Sequence, residues 1–346
     1  MAFLFLLKNT ESQYQTNFSI SSLIAVRHPM TPSHNISHLC ALENFGSNPG
    51  ALRADIYIPR NFPKNGPLVI VLHGSTQSAE IYNIGSGWST LADECGIALL
   101  FPGQRRSNNP LGSFNWFESV NSQRGAGEPL SISQMIKQVV EEHHVDPSRV
   151  FITGMSSGGA MTSVMLATYP EVFAGGAIIA GLPYRSANNM MEAFARMKGF
   201  GGPSDKKLNA LVRGASKSNG PWPTISIWHG DKDTTVDSSN ADAIARQWQK
   251  IHQVEGAPTR VETVNGFPRK VWCNRDGRVL IEEYTIAAMG HGTPISAKGI
   301  EGLGEPGKYM LDVGISSTRL IANFWGLTQP ETAGVTQKIR TTSSCL

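Results

Sequence analysis

Three residues of this chain have the types that nucleophilic catalysis requires, and they occur in a workable order. Ser156 lies in Gly154-Met155-Ser156-Ser157-Gly158, directly after the apolar run Phe151-Ile152 and ahead of a run of small residues. That context describes a nucleophile elbow, the tight strand-to-helix turn that presents a serine hydroxyl at the head of a sheet. Glycines at 154 and 158 let neighbouring backbone pass where a Cβ would clash. The start of the following helix aims N–H groups and a partial positive charge at developing negative charge. A serine hydroxyl also needs a base, usually histidine, and an acid that holds the histidine in the right tautomer. Asp233, in His229-Gly230-Asp231-Lys232-Asp233, is the preferred acid. Asp231 competes with it, and its plainer role is a turn or Asx cap. His291, between Gly290 and Gly292, is the candidate base. Upstream, His73-Gly74-Ser75-Thr76-Gln77 offers backbone N–H groups that can form an oxyanion site together with the N–H of Ser157.

These residues need elements to hold them, and the apolar pattern supplies candidates. Leu52 to Pro59 alternates as a half-buried strand does, whereas Leu68-Val69-Ile70-Val71-Leu72 is continuous, as in a strand covered on both faces. Residues 96–102, 177–180 and 224–228 read as further strands, with later ones over 261–264, 269–272 and 279–286. Ser131-Ile132-Ser133-Gln134 matches a capping box, and Ile132, Met135, Ile136, Val139 and Val140 follow at helical spacing. Helices are also expected over 160–169, 189–198, 241–251 and 317–325. Strands alternating with helices predict a mostly parallel central sheet with helices on both faces. Ligands to such sheets gather at the carboxyl ends of strands, where every candidate residue falls. The order Ser156, Asp233, His291 is that of the α/β-hydrolase fold. Residues 45–327 are expected to form this catalytic domain. A cap-like insertion interrupts it over about 183–222, a partly ordered extension precedes it over 1–44, and a polar tail follows over 328–346.

Composition narrows the class. Of 346 residues, 40% are hydrophobic and 16% charged, which suits a globular protein. A net charge of +3 without a basic, aromatic-interleaved cluster argues against nucleic-acid binding. Met1 to Leu7 is apolar, but Lys8 ends it short of a signal-peptide core or a membrane span. The cysteines Cys40, Cys95, Cys273 and Cys345 are scattered and give no zinc pattern. His143-His144 reads as a solvated helix end. The expectation is therefore no metal, no organic cofactor and a cytoplasmic location, with secretion as the alternative. Met190, Met191 and Phe194 read as core or cap packing, with substrate contact as the alternative. Trp116, Phe117 and Trp222 either line an aromatic substrate pocket or pack the cap. With His73, Thr76 and Gln77, Trp116 and Trp222 are the candidate substrate contacts.

Taken together, the segments resemble the esterase family that includes type I polyhydroxybutyrate depolymerases, with feruloyl and acetyl-xylan esterases as relatives. The matching stretches are Phe45 to Gly50, His73 to Gln77, Phe114-Asn115-Trp116-Phe117, Arg124 to Pro129, Gly154 to Met161, His229 to Asp233, and Gly290-His291. The resemblance implies Ser156 as nucleophile, Asp233 as acid, His291 as base and the Ser75 N–H as an oxyanion donor. It implies hydrolysis of 3-hydroxyalkanoate esters or oligomers, with feruloyl or acetyl esters as the alternative. A non-catalytic binding protein of the same fold is the distant rival. Relatives often carry Cys at the positions of Ser75 and Ser113, so the oxyanion loop here is expected to be tethered less firmly. Secreted polymer-degrading members usually append a binding domain. The end of this chain soon after Trp325 favours soluble oligomers or small esters.

Overall fold

The computed structural model describes residues 39–299 and 301–328, which fall within one compact unit. The expectations for 1–38 and 329–346 lie outside the described residues. In chain order the strands begin with β1 (Cys40–Ala41), β2 (Arg53–Tyr57) and β3 (Leu68–Leu72). Helices α1 (Ala79–Ser86) and α2 (Trp88–Cys95) lead to β4 (Ala98–Gly103). Next come α3 (Gly127–Glu142), β5 (Val150–Met155), α4 (Ser157–Thr168) and β6 (Gly175–Ile179). Helices α5 (Met190–Met197) and α6 (Asp205–Ala215) precede β7 (Thr224–Gly230) and α7 (Ser239–His252). The chain continues through β8 (Arg260–Val264), β9 (Phe267–Cys273), β10 (Val279–Ile286), β11 (Thr293–Ile295), β12 (Met310–Asp312) and α8 (Ser317–Phe324).

Ten strands form one sheet in the order β1-β2-β4-β3-β5-β6-β7-β10-β9-β8, and β11 and β12 make a separate parallel pair. The run from β4 through β10 is parallel, and antiparallel strands close both edges. This is the mostly parallel α/β-hydrolase arrangement that the alternating pattern predicts. Period-2 side-chain alternation divides the apolar runs between two cores. Leu68, Ile70 and Leu72 of β3 pack on one face with Ile132, Met135 and Val139 of α3 and with Ile244 and Trp248 of α7. Val69 and Val71 face the opposite side, with Tyr82, Trp88, Leu91 and Ile321. Both faces being covered explains why the central strands are apolar throughout. Helix α4 is buried along its whole length and correspondingly lacks a polar face.

Helix α3 corrects one expectation. It begins at Gly127, a turn before the Ser131 capping box, because the Asn121 side chain already accepts from the Glu128 N–H. Ser131 and Gln134 are freed for another task and accept from the backbone N–H groups of Gly50 and Asn48. That contact ties the segment before β2 to the helix. Helices α1, α2 and α6 are additions to the sequence reading. Cys40 and Ala41, placed in the N-terminal extension, pair antiparallel with Ile56 and Asp55. Among the described residues no helix is long and apolar enough to cross a membrane.

Candidate active site

The elbow between β5 and α4 is built by close backbone approach. A Cβ on Gly154 would lie 2.5 Å from the Gly158 carbonyl, and one on Gly158 would lie 2.4 Å from the Leu72 oxygen. Two glycines at these positions let the turn sit against the end of β3. Ser156 takes φ 57°, ψ −117°, a strained conformation for a residue with a side chain, and its N–H donates to the Ile179 oxygen. That bond anchors the strained residue to the end of β6. Its side chain, in a residue 9% exposed, is thereby held at the carboxyl end of the sheet.

Asp233 and His291 arrive on the loops after β7 and β10, adjacent parallel strands. The loops interlock: Gly230 lies so close that a Cβ would sit 2.2 Å from the Met289 oxygen. The Lys232 N–H donates to that same oxygen. The Asp231 carboxylate accepts from the Ala288 N–H at 2.7 Å, so it pins the histidine loop, and Asp233 alone reaches the imidazole. His291 Nδ1 donates to Asp233 Oδ2 at 2.7 Å, since a carboxylate can only accept. That tautomer leaves the Nε2 lone pair facing Ser156 Oγ at 2.9 Å, and the hydroxyl donates to it.

Burial by itself would raise the Asp233 pKa. Hydrogen bonds from His229 and His291, the charge on His291 and the Val236 N–H outweigh it and hold the carboxyl far below the ordinary range. His229 is buried, its Nε2 lying 2.8 Å from the Val236 oxygen and 3.3 Å from Asp233 Oδ2. It therefore braces the acid from below. Tyr309 was not foreseen. It stands edge-on to His291 with ring centroids 5.9 Å apart, at φ 67°, an unusual backbone for an aromatic residue. Its distance in sequence from every motif hides it.

The loop after β3 winds tightly beside the elbow. Gly74 N–H donates to Gln77 Oε1, Gln77 N–H to the Gly74 oxygen, and Thr76 N–H to the Leu111 oxygen. Among the described residues the Ser75 N–H has no such acceptor. The Ser75 hydroxyl donates to Ser157 Oγ at 3.2 Å, which sets these two residues side by side. Among the described residues the Ser113 hydroxyl bonds only the neighbouring Phe114 oxygen, and the Thr76–Leu111 bond joins the two loops where the resemblance places cysteines.

Several candidate substrate contacts have other work. His73 is 1% exposed; its Nδ1 donates to the Gly74 oxygen, and its Nε2 accepts from the Gln104 N–H. Desolvation lowers its pKa against the pull of the Gly74 bond, so it stays neutral in this role. It borders a cavity of about 310 Å3 with Arg53, Asp55, Glu80 and Gln104, none of which belongs to the Ser156 cluster. Trp116 is buried edge-on against Phe117, while Phe117 and Trp222 are half-buried, Trp222 lying edge-on to Trp248. Thr76 and Gln77 remain half-buried beside Ser75. Met190 and Met191 are exposed rather than core, Met191 at 84%.

Comparison with known proteins decides the family. Residues 53–263 match the family described as Esterase PHB depolymerase. The chain belongs to the esterase PHB depolymerase family. Poly(3-hydroxyalkanoate) depolymerase C of Paucimonas lemoignei is 43% identical over 297 residues, covering 85% of this chain and 72% of that relative. An acetylxylan esterase of Coprinopsis cinerea is 31% identical over 278 residues, 78% of this chain and 72% of that relative. An acetyl xylan esterase from Aspergillus awamori has the same fold, with TM-score 0.71 at 23% identity over 84% of this chain and 100% of that one. This esterase is therefore a carboxylic ester hydrolase.

Proposed function

We propose that Ser156, His291 and Asp233 are the catalytic residues and that the substrates are 3-hydroxyalkanoate esters or their oligomers. The observation that carries the reading is the unbroken hydrogen-bond chain from Ser156 Oγ through His291 to Asp233, at 2.9 and 2.7 Å. Ser156 Oγ attacks the ester carbonyl carbon as its proton passes to His291 Nε2. Asp233 holds the imidazolium that results. The N–H groups of Ser75 and Ser157 receive the oxyanion. Collapse breaks the ester C–O bond, and His291 returns its proton to the departing alcohol, leaving the acyl group on Ser156. A water then gives its proton to His291 and its oxygen to the acyl carbon. The second tetrahedral species releases the acid and restores the Ser156 hydroxyl.

The hydroxyalkanoate preference rests on the 43% identity to the depolymerase of Paucimonas lemoignei. Burial of Trp116 beside Phe117 supports the same preference, since it leaves that indole little surface for a feruloyl ring. Burst kinetics with a p-nitrophenyl ester test the acyl-enzyme. Turnover surviving Ser156→Ala would sink the catalytic assignment. Rates on hydroxybutyrate oligomers set against methyl ferulate and acetylated xylan test the substrate, and faster cleavage of either rival would overturn it.

A further inference from the structure

A carboxylate lies buried beneath the oxyanion loop. Glu128 stands in the first turn of α3 and is 1% exposed. Its Oε1 accepts from Gln104 Nε2 at 2.6 Å and from Asn115 Nδ2 at 2.9 Å, and its Oε2 accepts from the Asn115 N–H at 3.0 Å. Each partner is a fixed donor. Gln104 cannot turn its amide over, because its Oε1 already accepts from Asn108 Nδ2 and the Arg105 N–H. Asn115 cannot either, because its Oδ1 accepts from Asn109 Nδ2. The partners therefore offer only donors, and an ionised carboxylate, when present, meets them with acceptors alone.

From Glu128 two hydrogen-bonded routes reach the loop of Ser75. One passes through Gln104, whose backbone N–H donates to His73 Nε2 at 3.1 Å, and His73 Nδ1 donates to the Gly74 oxygen at 2.8 Å. The other passes through Asn115 and Asn109, whose Oδ1 accepts from the Leu111 N–H; the Leu111 oxygen accepts from the Thr76 N–H at 2.7 Å. The two routes end on either side of Ser75.

Resting on the proposed catalytic roles, we infer that Glu128 is a positioning residue of the reaction, holding the Ser75 N–H at its place beside Ser156 through these two routes. The surroundings fit a carboxylate kept for its acceptor capacity. Among the described residues no cation pairs with it, and Glu118, the charged neighbour, repels it. The N-terminal end of α3 supplies partial positive charge. Burial pushes its pKa up to about 7 against the three accepted bonds. Protonation would place an O–H among donors and slacken both routes. The proton matters to the site because a misplacement of about 1 Å costs on the order of 10²-fold in rate.

The test is steady-state kinetics of the full chain on a p-nitrophenyl ester across pH 5.5–9, with the folded fraction followed by circular dichroism. Glu128→Gln keeps the volume and removes the pure acceptor. Its kcat is expected to fall roughly 10–100-fold, with KM within about twofold and the loss of one ionisation from the acid limb of the kcat profile. Glu128→Asp keeps the charge and is expected to recover more activity than the isosteric Gln variant. Wild-type kcat in Glu128→Gln overturns the inference, and so does a loss accounted for by the unfolded fraction. If Glu128→Gln does not fold, Gln104→Leu and Asn109→Ala each cut one route. Unchanged kcat in both overturns it equally. A wild-type protein inactive on the ester and unlabelled at Ser156 would instead fail the catalytic roles themselves.

Discussion

At the residue scale, the proposed chemistry depends on which nitrogen of His291 carries the proton. Asp233 settles that by accepting from Nδ1, and its own ionisation is guarded by His229 and by backbone N–H groups. Removing the nucleophile by Ser156→Ala is expected to lower kcat by roughly 10⁴-fold or more and to abolish fluorophosphonate labelling. Asp233→Asn keeps the shape but offers an amide to Nδ1, so the wrong tautomer becomes available. A kcat loss of about 10³–10⁴-fold with little change in Tm is the expected outcome. Because its folded pKa is depressed, Asp233 contributes stability that is present above its ordinary value of 3.8 and lost only as pH falls further. Acidification from pH 7 to 5 should therefore leave its charge intact, and activity lost in that window should not be restored by Asp233 variants. The three residues the sequence grouped by type and order do meet in one hydrogen-bonded chain, which supports the proposed roles. Asp231 and Asp233, two positions apart, were separable only by geometry: one faces Ala288 N–H, the other His291. His73, a possible substrate contact in the sequence and more often a packed residue in such a place, turns its ring back under the loop to Gln104.

At the element scale, the elbow depends on close backbone approach among α4, β5 and the end of β3. Gly158→Ala would drive a Cβ to 2.4 Å from the Leu72 oxygen and 2.5 Å from the His73 oxygen, both main-chain atoms with little freedom to yield. The expected cost is about 2–3 kcal/mol in urea unfolding, at the upper end of ordinary overpacking, with kcat reduced by displacement of the loop at residues 73–77. Central strands were legible because burial on both faces leaves continuous apolar runs, as in β3 and β5. Helices α1 and α2 went unread because eight residues apiece offer barely two turns of periodicity, and Gly87 at φ 75° breaks the pattern between them. The start of α3 was misplaced for a different reason. Its capping acceptor, Asn121, comes from outside the helix, whereas the local Ser131–Gln134 pattern serves the segment before β2. Local signals identify a cap only when the partner is local.

At the scale of the whole molecule, the sheet buries charge it must account for. Glu128, raised from 4.5 to about 7, binds its proton more tightly in the folded than in the unfolded chain. Its contribution to stability is therefore fully present below pH 4.5 and declines as pH rises toward 7, by about 3 kcal/mol if the transition is two-state. Urea unfolding at pH 5 and pH 8 should show that decline in the wild type and lose it in Glu128→Gln. Glu128 lies in the Arg124 to Pro129 stretch that carries the resemblance, but its burial was not legible there, because its neighbours Gln104 and Asn115 come from other loops and meet it only in the fold. The same assembly has a consequence in time. Ser156 and His291, hydrogen-bonded in the finished protein, stand 135 positions apart in the chain. At typical synthesis rates of ~5–20 residues per second, His291 leaves the ribosome roughly 7–27 s after Ser156. Throughout that interval the growing polypeptide carries a serine with no partner to activate it. On the proposed roles, ester cleavage begins only after translation has passed the last loop of the site, and a stalled chain ending before residue 291 is expected to be inert.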